Sequence, residues 1–84
     1  MKTDLSVVAR NIELFCNVKA VPFKDYIMVN VKDIDCRIFM HITDGVLLIV
    51  LENNSQSVLD KLQTHIENII KVYNFFTVKA ISFN

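Results

Sequence analysis

Two stretches of the chain carry apolar residues at the spacing of an amphipathic helix. The first follows Thr3 or Asp4, either of which can cap a helix, and ends at Asn17, which tolerates the left-handed conformation of a C-terminal cap. Its apolar residues recur at steps of three and four positions: Leu5, Val8, Ile12, Phe15 and Cys16. This spacing predicts a helix with one buried face.

The second stretch begins at Ser57, which with Asp60 three residues later resembles a capping box, and it extends to about Tyr73. Its apolar stripe consists of Val58, Leu59, Leu62, Ile66, Ile69, Ile70 and Tyr73. Asn74 is the predicted C-terminal cap of this helix. The following segment, residues 75–83, is rich in β-forming side chains and predicts a final strand.

Between the two helices the pattern changes to that of β-strands. Four runs rich in β-branched and aromatic residues are separated by short polar turns: residues 18–23, 26–31, 36–43 and 46–52. Pro22 cannot donate a backbone hydrogen bond, so the first strand is predicted to lie near an edge of the sheet. Asp44 and Gly45 connect the last two runs and are typical of a two-residue type I′ turn.

The two-residue turn sets the register of this hairpin and therefore its two faces. The predicted cross-strand pairs are Thr43 with Val46, His41 with Leu48, Phe39 with Val50, and Arg37 with Glu52. One face is wholly apolar and consists of Cys36, Ile38, Met40, Ile42, Leu47, Ile49 and Leu51. The other face mixes apolar side chains with His41 and Thr43, and it ends in the pair of Arg37 with Glu52.

Together these elements predict an α+β fold in the order α-β-β-β-β-α-β. This is an antiparallel β-meander with an N-terminal helix and a second helix before the last strand. Residues 1–84 are predicted to form a single compact domain, since no linker, repeat or low-complexity segment interrupts them. The pattern leaves open which strand the last one pairs with.

The charge balance argues against partners that need a strong electrostatic field. Nine Lys and Arg residues balance nine Asp and Glu residues, so the formal net charge is zero and no long-range field gathers phosphates or anionic lipid. The longest aliphatic run, Val46–Leu51, is far shorter than a membrane span. Because the first residues also lack the apolar block of a signal peptide, we predict a cytoplasmic protein, the cytosol of a virus-infected cell included.

The residues with nucleophilic, acid–base or metal-binding side chains form no catalytic or ligand-binding pattern. Cys16 and Cys36 are too few for a disulfide framework and belong to no C-x-x-C pair, so buried, reduced thiols are predicted. Cys36 and His41 lie five positions apart, which places them on opposite faces of a strand and argues against a Cys–His dyad. The paired spacing of zinc ligands and the glycines of a phosphate-binding loop are both missing. We therefore predict no enzyme activity, catalytic residue, cofactor or metal.

The mixed face of the hairpin is more apolar than a surface exposed to water usually is. If both helices cover the apolar face, the mixed face exposes roughly a few hundred Å² of apolar surface, a size that marks interaction sites on monomers. Two alternatives are open: the first helix covers the mixed face, or the final strand curls the sheet around it. The predicted partner-binding residues are Phe39, His41, Val46, Leu48 and Val50.

The predicted function is that of a small, non-catalytic protein-binding module that masks or occupies a partner surface. Inhibitors, immunity proteins and chaperones act in this way, and viruses and phages encode some of them. The partner is another protein or a second copy in a homodimer, and no membrane partner is predicted. The alternative is a small dimeric nucleic-acid-associated regulator, in which dimerisation aligns Lys19, Lys24, Lys32 and Lys79 into a positive surface.

Overall fold

The computed structural model describes the backbone of residues 4–82 and the side chains of residues 4–75. Its elements are α1 Leu5–Cys16, β1 Lys19–Pro22, β2 Tyr26–Asn30, β3 Ile38–Thr43, β4 Val46–Leu51 and α2 Gln56–Ser82. The strands form one antiparallel sheet in the order β1-β2-β3-β4. The predicted α+β meander, preceded by one helix and followed by another, is confirmed.

Helix α1 begins and ends where the sequence predicts. The Asp4 carboxylate caps its N-terminus by accepting a hydrogen bond from the backbone N–H of Ser6 at 3.0 Å. At the other end Asn17 adopts φ 54° and ψ 45°, the left-handed conformation that terminates a helix. The Glu13 carboxylate accepts a hydrogen bond from the backbone N–H of Ala20 at 3.1 Å, which ties α1 to β1.

The β3–β4 hairpin has the predicted turn and register. Asp44 and Gly45 have φ values of 51° and 79°, and a type I′ turn requires positive φ at both positions. Every cross-strand partner along β3 and β4 is the one that a two-residue turn predicts. Just beyond the strands, Arg37 Nε donates to Glu52 Oε2 at 2.7 Å, which confirms the predicted pair at the end of the hairpin.

Both helices pack on the same face of the sheet. Their buried side chains form one cluster with those of β1, β2 and β3: Ala9, Ile12, Cys16, Leu62 and Ile69 from the helices, and Ala20, Ile27, Val29, Ile38 and Met40 from the strands. The inward side chains of β4 pack at the margin of this cluster. The alternative in which α1 covers the mixed face of the hairpin is therefore wrong.

The predicted final strand is also wrong. Residues 75–82 continue α2, which is uninterrupted from Gln56 to Ser82, and Phe83 lies outside the described residues. The sequence after Gly45 contains no glycine or proline that stops a helix. An asparagine such as Asn74 costs a helix interior less than about 1 kcal/mol relative to alanine, so the predicted cap does not end the helix. The alternative in which a final strand curls the sheet is therefore not supported.

The start of α2 differs from the prediction as well. The helix begins at Gln56, which leaves Ser57 inside it rather than at its cap. Upstream, the backbone N–H of Ser55 donates to Asn53 Oδ1 at 3.0 Å. Asp60 Oδ1 accepts a hydrogen bond from Gln56 Nε2 at 2.9 Å. A polar turn formed by Asn53 and Ser55, immediately before Gln56, therefore takes the place of the predicted capping box of Ser57 and Asp60.

Candidate functional site

The candidate site is the side of the sheet that faces away from both helices, which we call the outer face. The cross-strand register arranges its side chains in two rows across the strands. The first row is Val21, Met28, Phe39 and Val50, and the second is Tyr26, His41 and Leu48. Val46 lies opposite Thr43 at the hairpin end of the same face. The fold thus brings the five predicted partner-binding residues together on one surface.

The outer face is both apolar and exposed. Three of its side chains on β4 leave much of their area uncovered: Val46 66%, Leu48 59% and Val50 42%. Phe39 and His41 are half-buried, because strands on both sides flank them. Single exposed apolar residues are common on proteins, but a contiguous set at this exposure is typical of an interaction surface.

Tyr26 is the centre of an aromatic cluster on the outer face. Its ring stacks on that of Phe23, with centroids 4.8 Å apart and planes inclined by 13°. It meets Phe39 at 5.9 Å and 65°, and His41 at 5.3 Å and 33°. Offset and edge-to-face ring pairs contribute about 0.5–1.5 kcal/mol each beyond burial, so the four rings support one another's positions.

The sequence pattern did not identify Phe23 and Tyr26 as members of this surface. Tyr26 reaches Phe39 and His41 because β2 pairs with β3 in the observed register, with Tyr26 opposite His41, and Phe23 joins the surface through its stacking on Tyr26. The loop between these strands, residues 31–37, is too long to set a register in the way that the two-residue turn does. The only signal available was the β-rich run that begins at Tyr26.

Charged groups lie only at the margins of the outer face. Lys19 stands opposite Asn30 at one corner. Just beyond the ends of β3 and β4 the Arg37 guanidinium and the Glu52 carboxylate neutralise each other. The two rows between these positions contain no Asp, Glu, Lys or Arg. The outer face therefore offers apolar contact with little electrostatic field.

Both cysteines are buried and free, and neither belongs to the outer face. Burial raises the pKa of the Cys16 thiol. Cys36 Sγ lies 3.5 Å from the backbone carbonyl oxygen of Asn53. His41 lies on the outer face, whereas Cys36 belongs to the buried cluster on the other side of the sheet. The two residues are separated as predicted and form no dyad.

We expect both thiols to react slowly with iodoacetamide in the native protein at neutral pH. Burial limits access to both sulfurs, and the raised pKa of Cys16 leaves little of the reactive thiolate. Mass spectrometry should show alkylation at least about tenfold slower than in urea, where the same chain serves as the control. Rapid modification of native Cys36 would contradict the structure and reveal a reactive thiol.

The carboxylates give no support to a metal site. Among the described residues, no group of three or more His, Cys, Asp or Glu side chains lies close enough to hold a metal ion. Asp33 has φ 68° in the loop between β2 and β3, where the backbone N–H of Ile34 donates to the carbonyl of Val31 at 3.2 Å. Its positive φ is that of a turn residue, and aspartate tolerates this conformation better than most residues do.

The lysines of the nucleic-acid alternative do not converge in the described part of the molecule. Lys24 precedes β2 and Lys32 follows it, so the two lie beyond opposite ends of that strand. Lys19 begins the edge strand β1, and the side chain of Lys79 lies outside the described residues. No observation therefore favours a basic surface formed by these residues.

The fold and the outer face together define a small α+β domain with one helix-covered and one open, apolar sheet face. No family model matches the sequence, and neither a curated protein nor a solved structure matches it. In the described part of the chain, neither helix combines the length and apolar character needed to cross a membrane.

Proposed function

We propose that this protein is a non-catalytic binding domain that uses its outer face to occupy a surface of another protein. The observation that carries the proposal is the contiguous set of exposed apolar side chains on the side of the sheet that neither helix covers. A protein of this kind acts by masking what it covers, as inhibitors, immunity proteins and chaperones do. It requires no catalytic group.

The outer face has a size that a protein partner can recognise. Four strands about 4.8 Å apart, each about five residues long with a rise of about 3.3 Å per residue, span roughly 19 by 17 Å, or about 320 Å² of flat area. Covering that area would contribute at most about 8 kcal/mol if all of it were apolar, and the entropic cost of association is about 4–15 kcal/mol. The outer face by itself therefore fits a weak or transient complex, and a tighter complex requires further contacts around its rim.

The aromatic cluster is suited to binding because its side chains are already positioned. Tyr26 contacts the rings of Phe23, Phe39 and His41, so a partner that lands on them orders few additional rotamers. Aromatic anchors at the centre of a contact supply most of the binding energy in many interfaces. The exposed aliphatic side chains of β4 extend this centre toward one edge of the sheet.

The charge distribution indicates the chemistry of the partner. The outer face has little charge of its own, so it makes no favourable electrostatic interaction with a strongly acidic or basic surface. Binding would also remove water from the charges of such a surface, and no opposite charge on the outer face would offset that desolvation cost. The partner that fits is a protein surface that is apolar at its centre and close to neutral. A polyanion such as nucleic acid does not meet this requirement.

Leu48→Asp is expected to abolish partner binding, and Leu14→Asp is expected to retain it. The two leucines are a matched pair, because both are exposed (59% and 71%) and Leu14 lies on α1, away from the outer face. Each variant and the wild type is immobilised and exposed to extract from the native cell, and retained proteins are quantified by mass spectrometry. Proteins lost only with Leu48→Asp are then purified and titrated by calorimetry.

For a purified partner we expect Leu48→Asp to raise Kd at least about 100-fold, which corresponds to about 2.7 kcal/mol. Phe39→Asp, on β3 between two neighbouring strands, should have a similar effect. Binding of both variants with wild-type affinity would show that the outer face is not the docking surface. So would the failure of any protein to distinguish Leu48→Asp from Leu14→Asp.

The nucleic-acid alternative predicts binding to oligonucleotides with an affinity that falls as the salt concentration rises. Single-stranded and duplex oligonucleotides are titrated with the protein at low and at moderate salt in the same calorimeter. Affinity that falls steeply with salt would favour the regulator over the protein-binding domain. Absence of binding at both salt concentrations is the result that we expect.

A further inference from the structure

Strand β4 leaves one edge of the sheet open. In the order β1-β2-β3-β4 it pairs with β3 alone, and no other described helix or strand lies beside its free edge. An open edge presents a row of unpaired backbone N–H and C=O groups, which is a template for pairing with another strand.

The two edges of the sheet are protected very differently. Strand β1 has four residues, carries Lys19 and Pro22, and is tied to α1 through its backbone. Strand β4 has six residues, Val-Leu-Leu-Ile-Val-Leu, with no charge or proline, and its register with β3 contains no bulge. Charges, prolines and short length are the devices that keep edges from pairing, and β4 has none of them.

The hydrogen bonds of the hairpin show which backbone groups lie at the open edge. The backbone N–H of Glu52 donates to the carbonyl of Arg37 at 3.0 Å, so these two residues form a hydrogen-bonded pair. Such pairs alternate with non-bonded ones along an antiparallel ladder. The residues whose backbone groups point toward β3 are Val46, Leu48 and Val50. Those whose backbone groups point to the open edge are Leu47, Ile49 and Leu51.

Both sides of β4 are apolar at this edge. The side chains on the outer face are exposed, and those on the inner face are only half-buried: Leu47, Ile49 and Leu51. A strand that pairs here must therefore bring apolar side chains to both sides of the sheet. A second copy of β4 does so, and two copies do not repel each other because the formal net charge of the chain is zero.

We infer that β4 pairs antiparallel with the β4 of a second copy of this chain about a two-fold axis at Ile49. In this register Ile49 lies opposite its own copy, and Leu47 lies opposite Leu51 of the other chain. All three residues at the open edge then exchange backbone hydrogen bonds across the axis. Two four-stranded sheets become one continuous sheet of twice as many strands.

This pairing is self-limiting. Lys19 and Pro22 blunt the β1 edge, so β4 cannot add head-to-tail to the β1 of a further copy and build a fibre. A two-fold pair uses the open edge of both copies and stops there. The pairing goes beyond the proposed function and does not depend on it. It also sets two outer faces side by side, which doubles the surface available to a partner.

Amide hydrogen exchange tests the edge directly. Exchange is followed residue by residue by NMR at a low protein concentration and at one about a hundredfold higher, and light scattering measures the mass at both. At the higher concentration we expect the mass to double and the amides of Leu47, Ile49 and Leu51 to exchange about tenfold more slowly than at the lower concentration. The amides of Leu48 and Val50 are bonded to β3 and should be slow at both concentrations.

Two results of this measurement would overturn the pairing. The first is a mass that stays monomeric at every concentration. The second is a dimer whose outward amides on β4 exchange as fast as in the monomer, because a dimer formed through the outer faces leaves the edge open. Loss of partner binding alone bears only on the proposed function, so the two proposals can fail separately.

Charge substitutions on the outer face test the register. In the inferred dimer Leu48 lies opposite Val50 of the other copy. We expect Leu48→Lys/Val50→Lys and Leu48→Glu/Val50→Glu each to be monomeric, since like charges face each other, and to form a dimer when mixed. Leu48→Lys/Val50→Glu should dimerise by itself, because each new lysine meets a new glutamate of the other copy.

Circular dichroism first establishes that these variants are folded, which we expect because both side chains are exposed. A mixture of the two folded, like-charged variants that stays monomeric would overturn the pairing. If the mixture forms a dimer but Leu48→Lys/Val50→Glu does not, the axis at Ile49 is wrong. The exchange measurement on the wild type does not depend on these variants.

Discussion

Met40→Asp is expected to abolish the folded state, whereas Leu48→Asp is expected to leave it almost unchanged. Met40 on β3 has no exposed area and lies in the cluster between the sheet and the helices. An unpaired carboxylate there costs several kcal/mol, a large part of the roughly 4–13 kcal/mol that stabilises a chain of 84 residues. At Leu48 the charge stays in water, and the cost is limited to about 1 kcal/mol of strand propensity.

Circular dichroism and urea-induced unfolding measure both effects. The Met40→Asp variant should show no cooperative transition, and Leu48→Asp should unfold within about 1 kcal/mol of the wild type. Met40→Leu conserves volume and serves as the control, with an expected cost below about 1.5 kcal/mol. If the two aspartate variants are equally unfolded, Leu48 is not on a free surface, and the proposal that the outer face binds another protein is no longer supported.

The two faces of the hairpin were predictable because one short turn determines them. Asp44 and Gly45 favour a two-residue connection, and the alternation of side chains then assigns each residue of β3 and β4 to a face. The observed partners agree along both strands. The limits of α1 were predictable for a similar reason, since the caps Asp4 and Asn17 act within a few residues of the helix ends.

The last element was not predictable in the same way. The β-forming residues of the 75–83 segment fit a strand, and the absence of a glycine or proline after Gly45 fits a longer helix. A strand needs a neighbour to satisfy its backbone, whereas a helix satisfies its hydrogen bonds internally. Whether a neighbouring strand is available depends on tertiary structure, which the local sequence does not specify. In the structure the helix continues to Ser82.

The candidate site shows the same division between local and non-local signals. The outer-face residues of β3 and β4 follow from the hairpin turn alone. The inclusion of Phe23 and Tyr26 depends on the register between β2 and β3, which a longer loop leaves undetermined by the sequence. The aromatic centre of the surface was therefore visible only in the structure.

Tyr26→Ala is expected to weaken binding of the protein partner at least about 30-fold, or about 2 kcal/mol. Tyr26 contacts the rings of Phe23, Phe39 and His41, so its truncation removes contact area and also releases the other rings from their positions. The free energy of unfolding should fall by about 1.5–4.5 kcal/mol, because three ring contacts of about 0.5–1.5 kcal/mol each are lost, so urea unfolding must first show that the variant is folded.

Tyr26→Phe is the matched control, since it keeps the ring and removes the hydroxyl group. Calorimetry with the partner that distinguishes Leu48→Asp from Leu14→Asp should give a Kd for Tyr26→Phe within about threefold of wild type. A comparable loss in both Tyr26 variants would assign the contribution to the hydroxyl group rather than to the ring cluster. Wild-type affinity in Tyr26→Ala would place the contact on β4 alone and leave the cluster with a structural role.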